Sequence, residues 1–172
     1  VALNQLVILG CGPIGCELAQ AFQRLGSHVT IVEMAERLLL KEDADAAALV
    51  TAQLLAEGVS VLTQHKALRF EGGKNLVVAG PEGEKHISFD DVIIAVGRKP
   101  RVSGFGLEEL GLVVDGRLEN DAFLRTNLPH ILCAGDVAGR QQLTHGGSHE
   151  AWYASVNALA RNFKKYRADY RV

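Results

Sequence analysis

The chemistry open to this chain starts at Gly10-Cys11-Gly12-Pro13-Ile14-Gly15, a glycine-rich turn that ends the apolar run Leu6-Val7-Ile8-Leu9. Each glycine has a separate task in a turn that receives a pyrophosphate. Gly10 permits the sharp exit from a strand, and Gly12 lets phosphate oxygens approach the backbone. Gly15 lets the next helix pack closely on a sheet. A helix starting at Pro13 would aim unpaired N–H groups and its positive dipole end at the phosphates. Glu33, 18 residues after Gly15, closes the next apolar run, Val29-Thr30-Ile31-Val32. A carboxylate at that point can accept hydrogen bonds from the adenosine ribose hydroxyls. Turn, helix, strand and acid together predict a dinucleotide site. The acid would also repel a 2′-phosphate, which favours NAD over NADP. Arg37 lies close enough in sequence to weaken that preference.

Other reactive side chains carry less. Cys11 and Cys16 have four residues between them, the spacing of some redox pairs. A disulfide there is expected to close over the backbone that meets the pyrophosphate, so the pair is given no redox role. Cys133 reads as a small core hydrophobe, and three cysteines make no disulfide framework. Asp136 follows the apolar run His130-Ile131-Leu132-Cys133-Ala134 and, on its own, fits a turn or helix cap. His145 and His149 share a helix face at i, i+4, but no third ligand is evident and no metal is expected. Trp152 and Tyr153 read as packing residues.

The elements that must position these residues follow from periodicity. Leu6 to Leu9 is a continuous apolar strand, as in a parallel sheet covered on both faces. Leu18, Ala19, Phe22 and Leu25 form the stripe of a helix packed on it, with Gly26 as C-cap. His28 to Glu33 completes a βαβ unit. Asp43 caps a second helix through about Glu57 that carries Leu49, Leu54 and Leu55, and Gly58 ends it. Val59 to Leu62 is a third strand. Ala67 to Glu71, Asn75 to Ala79 and His86 to Phe89 then form an antiparallel meander, with turns at Gly72-Gly73 and Pro81-Glu82-Gly83. The meander takes the place of a third crossover helix. Asp91 to Val96 returns as an apolar strand, Val102 to Leu128 is irregular, His130 to Ala134 is another strand, and a long helix runs from about Gly147 to Asn162. The fold class is α/β: a Rossmann-like dinucleotide-binding domain with a parallel sheet and a β-meander crossover.

Bulk properties narrow the classes. The chain has 172 residues, 48% of them hydrophobic, and a net charge of -2, which gives no reason to expect a nucleic-acid partner. Arg161, Lys164, Lys165, Arg167 and Arg171 read as a solvated helix end and linker. No apolar run reaches the roughly 18 residues of a membrane span, and no secretory signal precedes the first strand. A cytoplasmic location without a membrane partner is the default. The chain opens on Val1, has Met34 as its sole methionine, and stops after Asp169-Tyr170-Arg171-Val172. These features suggest a piece of something longer.

Four segments, in order, carry a family resemblance: Gly10-Cys11-Gly12-Pro13-Ile14-Gly15-Cys16-Glu17, the strand ending in Glu33, Val96-Gly97-Arg98-Lys99-Pro100, and Ala134-Gly135-Asp136-Val137 with Leu143-Thr144-His145. With the meander, they make the chain resemble the pyridine nucleotide-disulfide oxidoreductases, the flavoproteins typified by dihydrolipoamide dehydrogenase, glutathione reductase and mercuric reductase. Among these the chain looks most like the mercuric reductase and dihydrolipoamide dehydrogenase branch, and the run before Glu150-Ala151-Trp152-Tyr153 with the tail Asp169-Tyr170 resembles a mercuric-reductase-like homologue. The resemblance implies an NAD-binding domain over residues 1–100, an incomplete returning part of the FAD domain over 101–162, and a linker over 163–172. It implies that Gly10, Gly12, Pro13, Ile14 and Gly15 cradle the NAD pyrophosphate and that Glu33 binds the ribose. Gly97 would lie against the nicotinamide nucleotide, Ala67 near the adenine, and Glu17 at the nicotinamide. Glu17 equally fits a purely electrostatic role near the helix start. For FAD, the resemblance implies Gly135, Asp136, Gln142, Leu143, Thr144 and His145.

Three family features are absent from the sequence: a glycine turn for the FAD adenosine, a cysteine pair beside the flavin, and a C-terminal dimerisation domain. The whole enzyme would be a homodimer passing hydride from NADH to FAD and then electrons to a disulfide, and this chain would not turn over alone. Two other readings stay open. One is a flavoprotein NADH oxidase or ferredoxin-type reductase without redox cysteines. The other is a non-catalytic NAD-sensing module.

Overall fold

The computed structural model describes residues 4–112, 115–139, 142–160 and 166–168. Of the basic cluster, Arg161, Lys164, Lys165 and Arg171 lie outside the described residues, as do most of the expected linker and the tail Asp169-Tyr170. The chain divides into two compact units, residues 1–97 and 98–172.

The first unit is three layers deep. Strands β1 (Gln5–Leu9), β2 (His28–Val32), β3 (Ser60–Leu62) and β7 (Asp91–Ile94) form a sheet in the order β3-β2-β1-β7. Every pairing in it is parallel. Strands β4 (Lys66–Glu71), β5 (Asn75–Gly80) and β6 (Gly83–Ser88) form the antiparallel meander. Alternation along β1 assigns the two faces. Leu6 and Ile8 enter a core with Val29, Ile31, Ala19 and Leu54, under helices α1 (Pro13–Arg24) and α2 (Ala44–Ala56). Val7 and Leu9 enter a second core with Leu76, Val78 and Phe89, under the meander. Both faces of the sheet are thus covered, which is why its strands read as unbroken apolar runs.

Local signals set the helix limits. Pro13 begins α1, and Asp43 caps α2 by accepting a hydrogen bond from Asp45 N–H at 2.9 Å. Glu57 clasps the two helices, accepting from Gln20 and Arg24 of α1 and from Gln53 of α2. Leu25 departs from the expected stripe and is exposed, because it is the C-cap of α1 rather than part of its buried face. Leu49 and Leu55 are exposed too, since α2 rests on the sheet through Ala47 and Leu54.

The second unit has little regular structure: a 3-10 turn at Asp136–Ala138 and helix α3 (Thr144–Leu159). Its core joins Leu112, Leu118, Cys133 and Ala138. The strand expected at His130–Ala134 does not form. That run bridges antiparallel to its own hairpin, Arg125 opposite Leu132, with Thr126 N–H bonded to Ile131 O and Cys133 N–H to Leu124 O. No other strand reaches it among the described residues, and an apolar run without a neighbouring edge cannot build a ladder. Helix α3 begins three residues before the expected Gly147, because Gly146 and Gly147 are held inside its first turns by packing rather than by propensity. Asn157, buried on α3, accepts from Tyr166 N–H and donates to the carbonyls of Phe123 and Tyr166. Trp152 is not a core residue; it is 57% exposed, and its ring meets those of Tyr153 and Tyr166 edge-on.

Candidate functional site

The chain leaves β1 toward β2 on one side, while β7 lies on the other. In such open sheets the reversal of direction leaves a crevice beyond the carboxyl ends of the strands, where ligands bind. Gly10 follows β1, Glu33 follows β2, and Ala95 to Gly97 follow β7, so the topology gathers them at that edge.

The glycine turn is held tightly there. Gly10 has a left-handed φ of +85°, and a Cβ on it would sit 2.8 Å from the Ala95 carbonyl oxygen. A Cβ on Gly15 would collide with the Gly10 carbonyl oxygen, so strand exit and helix entry touch backbone to backbone. Gly12, by contrast, has nothing within 4 Å of where its Cβ would stand. That side of the turn is open. No side chain caps α1 and no acid occupies its first turn, so neither competes with an anion for the N–H groups of Ile14 and Gly15.

Glu33 is fixed by two backbone donors. Its Oε2 accepts from Cys11 N–H at 2.7 Å and its Oε1 from Ala35 N–H at 2.9 Å. The acid at the end of β2 is thereby tied to the glycine turn at the end of β1. The Cys11 carbonyl accepts from Leu39 N–H at 2.9 Å, which docks the loop after Glu33 onto the same turn. Leu39 adopts a φ of +50° there, a conformation that costs a branched residue about 1–2 kcal/mol.

Arg37 takes a different place from the one its sequence position suggested. Its guanidinium donates to the carbonyls of Leu38, Leu39, Leu40 and Glu42. It stitches its own loop together. Sequence reasoning had no signal for this, because main-chain acceptors leave no trace in residue types.

The two turn cysteines also differ from expectation. The structure joins Cys11 and Cys16 in a disulfide. Both cysteines are buried, at 1% and 5% exposure, in the core that contains Leu6, Ile8, Ala19 and Leu38, whereas the space beside Gly12 is open. The cross-link lies beneath the turn.

The remaining first-unit candidates are more dispersed. Glu17 is exposed on α1, and Gly97 is exposed beyond β7. Ala67 sits at the irregularity in β4 and packs against the core between sheet and meander.

In the second unit, Gly135 has a φ of +82° and donates its N–H to Glu150 Oε2 at 2.7 Å. Glu150 is only 2% exposed, and a Cβ on Gly147 would stand 3.3 Å from the Gly135 Cα. Glu150 and Gly147 were not among the expected site residues; two members of α3 facing one glycine turn are visible only once the helix is placed. Asp136 is half-exposed and meets Arg98 at 3.5 Å. Leu143 to His145 cover the N-cap and first residues of α3 rather than a loop. Of the expected flavin residues, Gln142 alone lines a polar cavity of about 330 Å³, shared with Asp115, Arg117 and Glu119. No group of three or more metal-ligating side chains occurs among the described residues, and no described helix is long and apolar enough to cross a membrane.

Strand order and switch point define a Rossmann-like α/β protein. Residues 2–151 match the family described as pyridine nucleotide-disulphide oxidoreductase, and the chain belongs to that family. It is 39% identical to a dihydrolipoyl dehydrogenase of Bacillus subtilis over 163 residues, covering 94% of this chain and 36% of the relative. A dihydrolipoyl dehydrogenase of Thermus scotoductus is 36% identical, with 92% and 36% covered. Among solved structures, the HOCl-induced flavoprotein disulfide reductase RclA from Escherichia coli, as its Cu(II) complex, superposes with a TM-score of 0.85 at 29% identity. That match covers 97% of this chain and 38% of the reductase. The chain spans about a third of the length of the curated relatives it matches.

Proposed function

We propose that residues 1–97 bind NAD(H) and that the Asp136 turn contributes to a flavin site, within an FAD-dependent oxidoreductase that passes reducing equivalents from NADH to a redox disulfide. The observation that carries this reading is the Glu33 carboxylate, held by Cys11 and Ala35 N–H groups beside a turn whose Gly12 side is open. A carboxylate so held keeps lone pairs for two ribose hydroxyls. NAD is preferred to NADP, because a 2′-phosphate would meet that charge and Arg37 is committed to four carbonyls. When bound, NADH supplies a hydride and FAD accepts it. The chain's own part is to hold the pyrophosphate on the first turn of α1, orient the ribose through Glu33, and offer the exposed Glu17 to the nicotinamide end. In the second unit, Glu150 orients Gly135, so that Asp136 projects from a fixed turn.

The test is calorimetric titration of the chain with NADH, NADPH and FAD in parallel. NADH should bind in the micromolar to millimolar range, and more tightly than NADPH. Glu33→Ala should weaken NADH by roughly tenfold to a hundredfold, the effect of losing about 1–3 kcal/mol. Equal affinity for NADH and NADPH, or a Glu33→Ala variant that binds like the parent, would sink the assignment of Glu33.

A further inference from the structure

We infer that Cys11 and Cys16 are a reversible dithiol–disulfide pair whose redox state tunes nucleotide affinity, an inference that rests on the NAD(H) reading above. Their Cα atoms are 5.4 Å apart, a separation that a disulfide spans without backbone movement. The bond joins the two halves of the proposed cradle. Cys11 is the residue whose N–H holds Glu33 and whose carbonyl holds Leu39. Cys16 lies in α1, one residue beyond Gly15, which touches the Gly10 carbonyl. Oxidised, the pair fixes Cys11, whose N–H holds the ribose acid, relative to the first turn of α1. Reduced, that geometry rests on hydrogen bonds alone. A cradle fixed before binding gives up less conformational freedom when ligand arrives, so the oxidised form binds more tightly. Because both cysteines are buried and the space beside Gly12 is open, the disulfide does not compete with a ligand for that space.

The chemistry needs a small-molecule disulfide such as glutathione disulfide as oxidant. One cysteine thiolate attacks it, releasing one glutathione thiol and forming a mixed disulfide. The second cysteine thiolate then displaces the other glutathione. The protein loses two electrons and two protons, and two thiols leave. Burial means that exchange requires the first turn of α1 to open. A nucleotide seated on that turn resists opening, and so slows both oxidation and reduction.

Coupling of this kind is reciprocal: whatever factor oxidation adds to NADH affinity, NADH must add to the stability of the disulfide. That gives a closed test on the whole chain. One sample is oxidised with glutathione disulfide and one reduced with dithiothreitol, each state is verified by alkylation and mass, and NADH is titrated into both. Oxidised protein should bind about fivefold tighter or more. In glutathione redox buffers, saturating NADH should shift the balance between dithiol and disulfide by the same factor. Cys11→Ala and Cys16→Ala should each lose all dependence of NADH affinity on redox state, whatever their absolute affinity. Equal NADH affinity in two samples of verified state would overturn this inference while leaving the NAD(H) reading intact. Failure of the pair to oxidise would overturn it too. Absence of NADH binding in either state would remove the NAD(H) reading and this one together.

Discussion

The two units carry the same device, a glycine turn after an apolar run, and support it by different means. In the first unit the turn hangs from a parallel sheet: Gly10 N–H bonds to Val32 O, and Gly10 and Gly15 meet backbone to backbone. In the second unit the turn at Gly135 has no sheet beneath it among the described residues, and a single buried carboxylate and a looser glycine contact on α3 hold it. A turn gripped by many strands loses little when one side chain is changed but tolerates no added atom. A turn gripped by one side chain should show the reverse.

That contrast can be broken by substitution. Gly15→Ala should have the largest effect, because its Cβ meets a carbonyl that β1 fixes in place; a loss of about 3 kcal/mol in urea unfolding is expected. Glu150→Ala should follow, at about 2–3 kcal/mol, from a vacated buried site and an unpaired Gly135 N–H. Amide exchange should show that loss in residues 98–172 and leave β1 and β2 protected; equal loosening of both units would abolish the distinction. Gly147→Ala should cost about 1 kcal/mol or less, since its Cβ stands 3.3 Å from Gly135 and a small shift relieves it. If it matched Gly15→Ala, the two turns would be equally rigid.

The smallest effect sharpens the comparison on the first unit's side. Hydrogen bonds from Arg24, then Gln53 and Gln20, hold the Glu57 carboxyl at about 2, against 4.5 when unfolded. The unfolded chain therefore takes up a proton below pH 4.5 that the folded chain refuses until about pH 2. The clasp between α1 and α2 contributes fully above that window and is lost as pH falls through it. Urea unfolding of the parent and of Glu57→Gln at pH 7, 4.5 and 3 should give a difference that shrinks with acidity. A difference that grew would show that the carboxylate is not the stabilising form.

What the residue pattern revealed was whatever rests on local spacing. The turn from Gly10 to Gly15, the cap at Asp43, the acid at Glu33 and the meander all follow from signals within a few residues, and the structure forms each of them. What stayed hidden depended on depth or on a distant partner. The run at His130–Ala134 is as apolar as β1, but a parallel strand exists only beside another edge. Leu49 and Leu55 obey a helical period yet face outward, because the sheet receives α2 along a narrower stripe. The Cys11–Cys16 spacing said that a bond was within reach; it could not say on which side of the backbone the sulfurs lie. Arg37 weakened the preference for NAD on paper because charge is legible in sequence and carbonyl positions are not.

The central strand β1 has one further consequence, which concerns synthesis. Its partner β2 follows at once, but β7 comes some 85 residues after the start of β1, where Asp90 and Gln5 meet. At roughly 5–20 residues per second on a ribosome, that gap lasts about 4–17 s. Throughout it, β1 presents an unpaired edge, and until the meander is made it also presents the apolar face of Val7 and Leu9, the exposure that invites pairing with another nascent chain. The meander that covers this face is made just before β7. A pause in translation between Glu33 and Lys66 therefore prolongs the exposed state, whereas a pause after Ile94 does not.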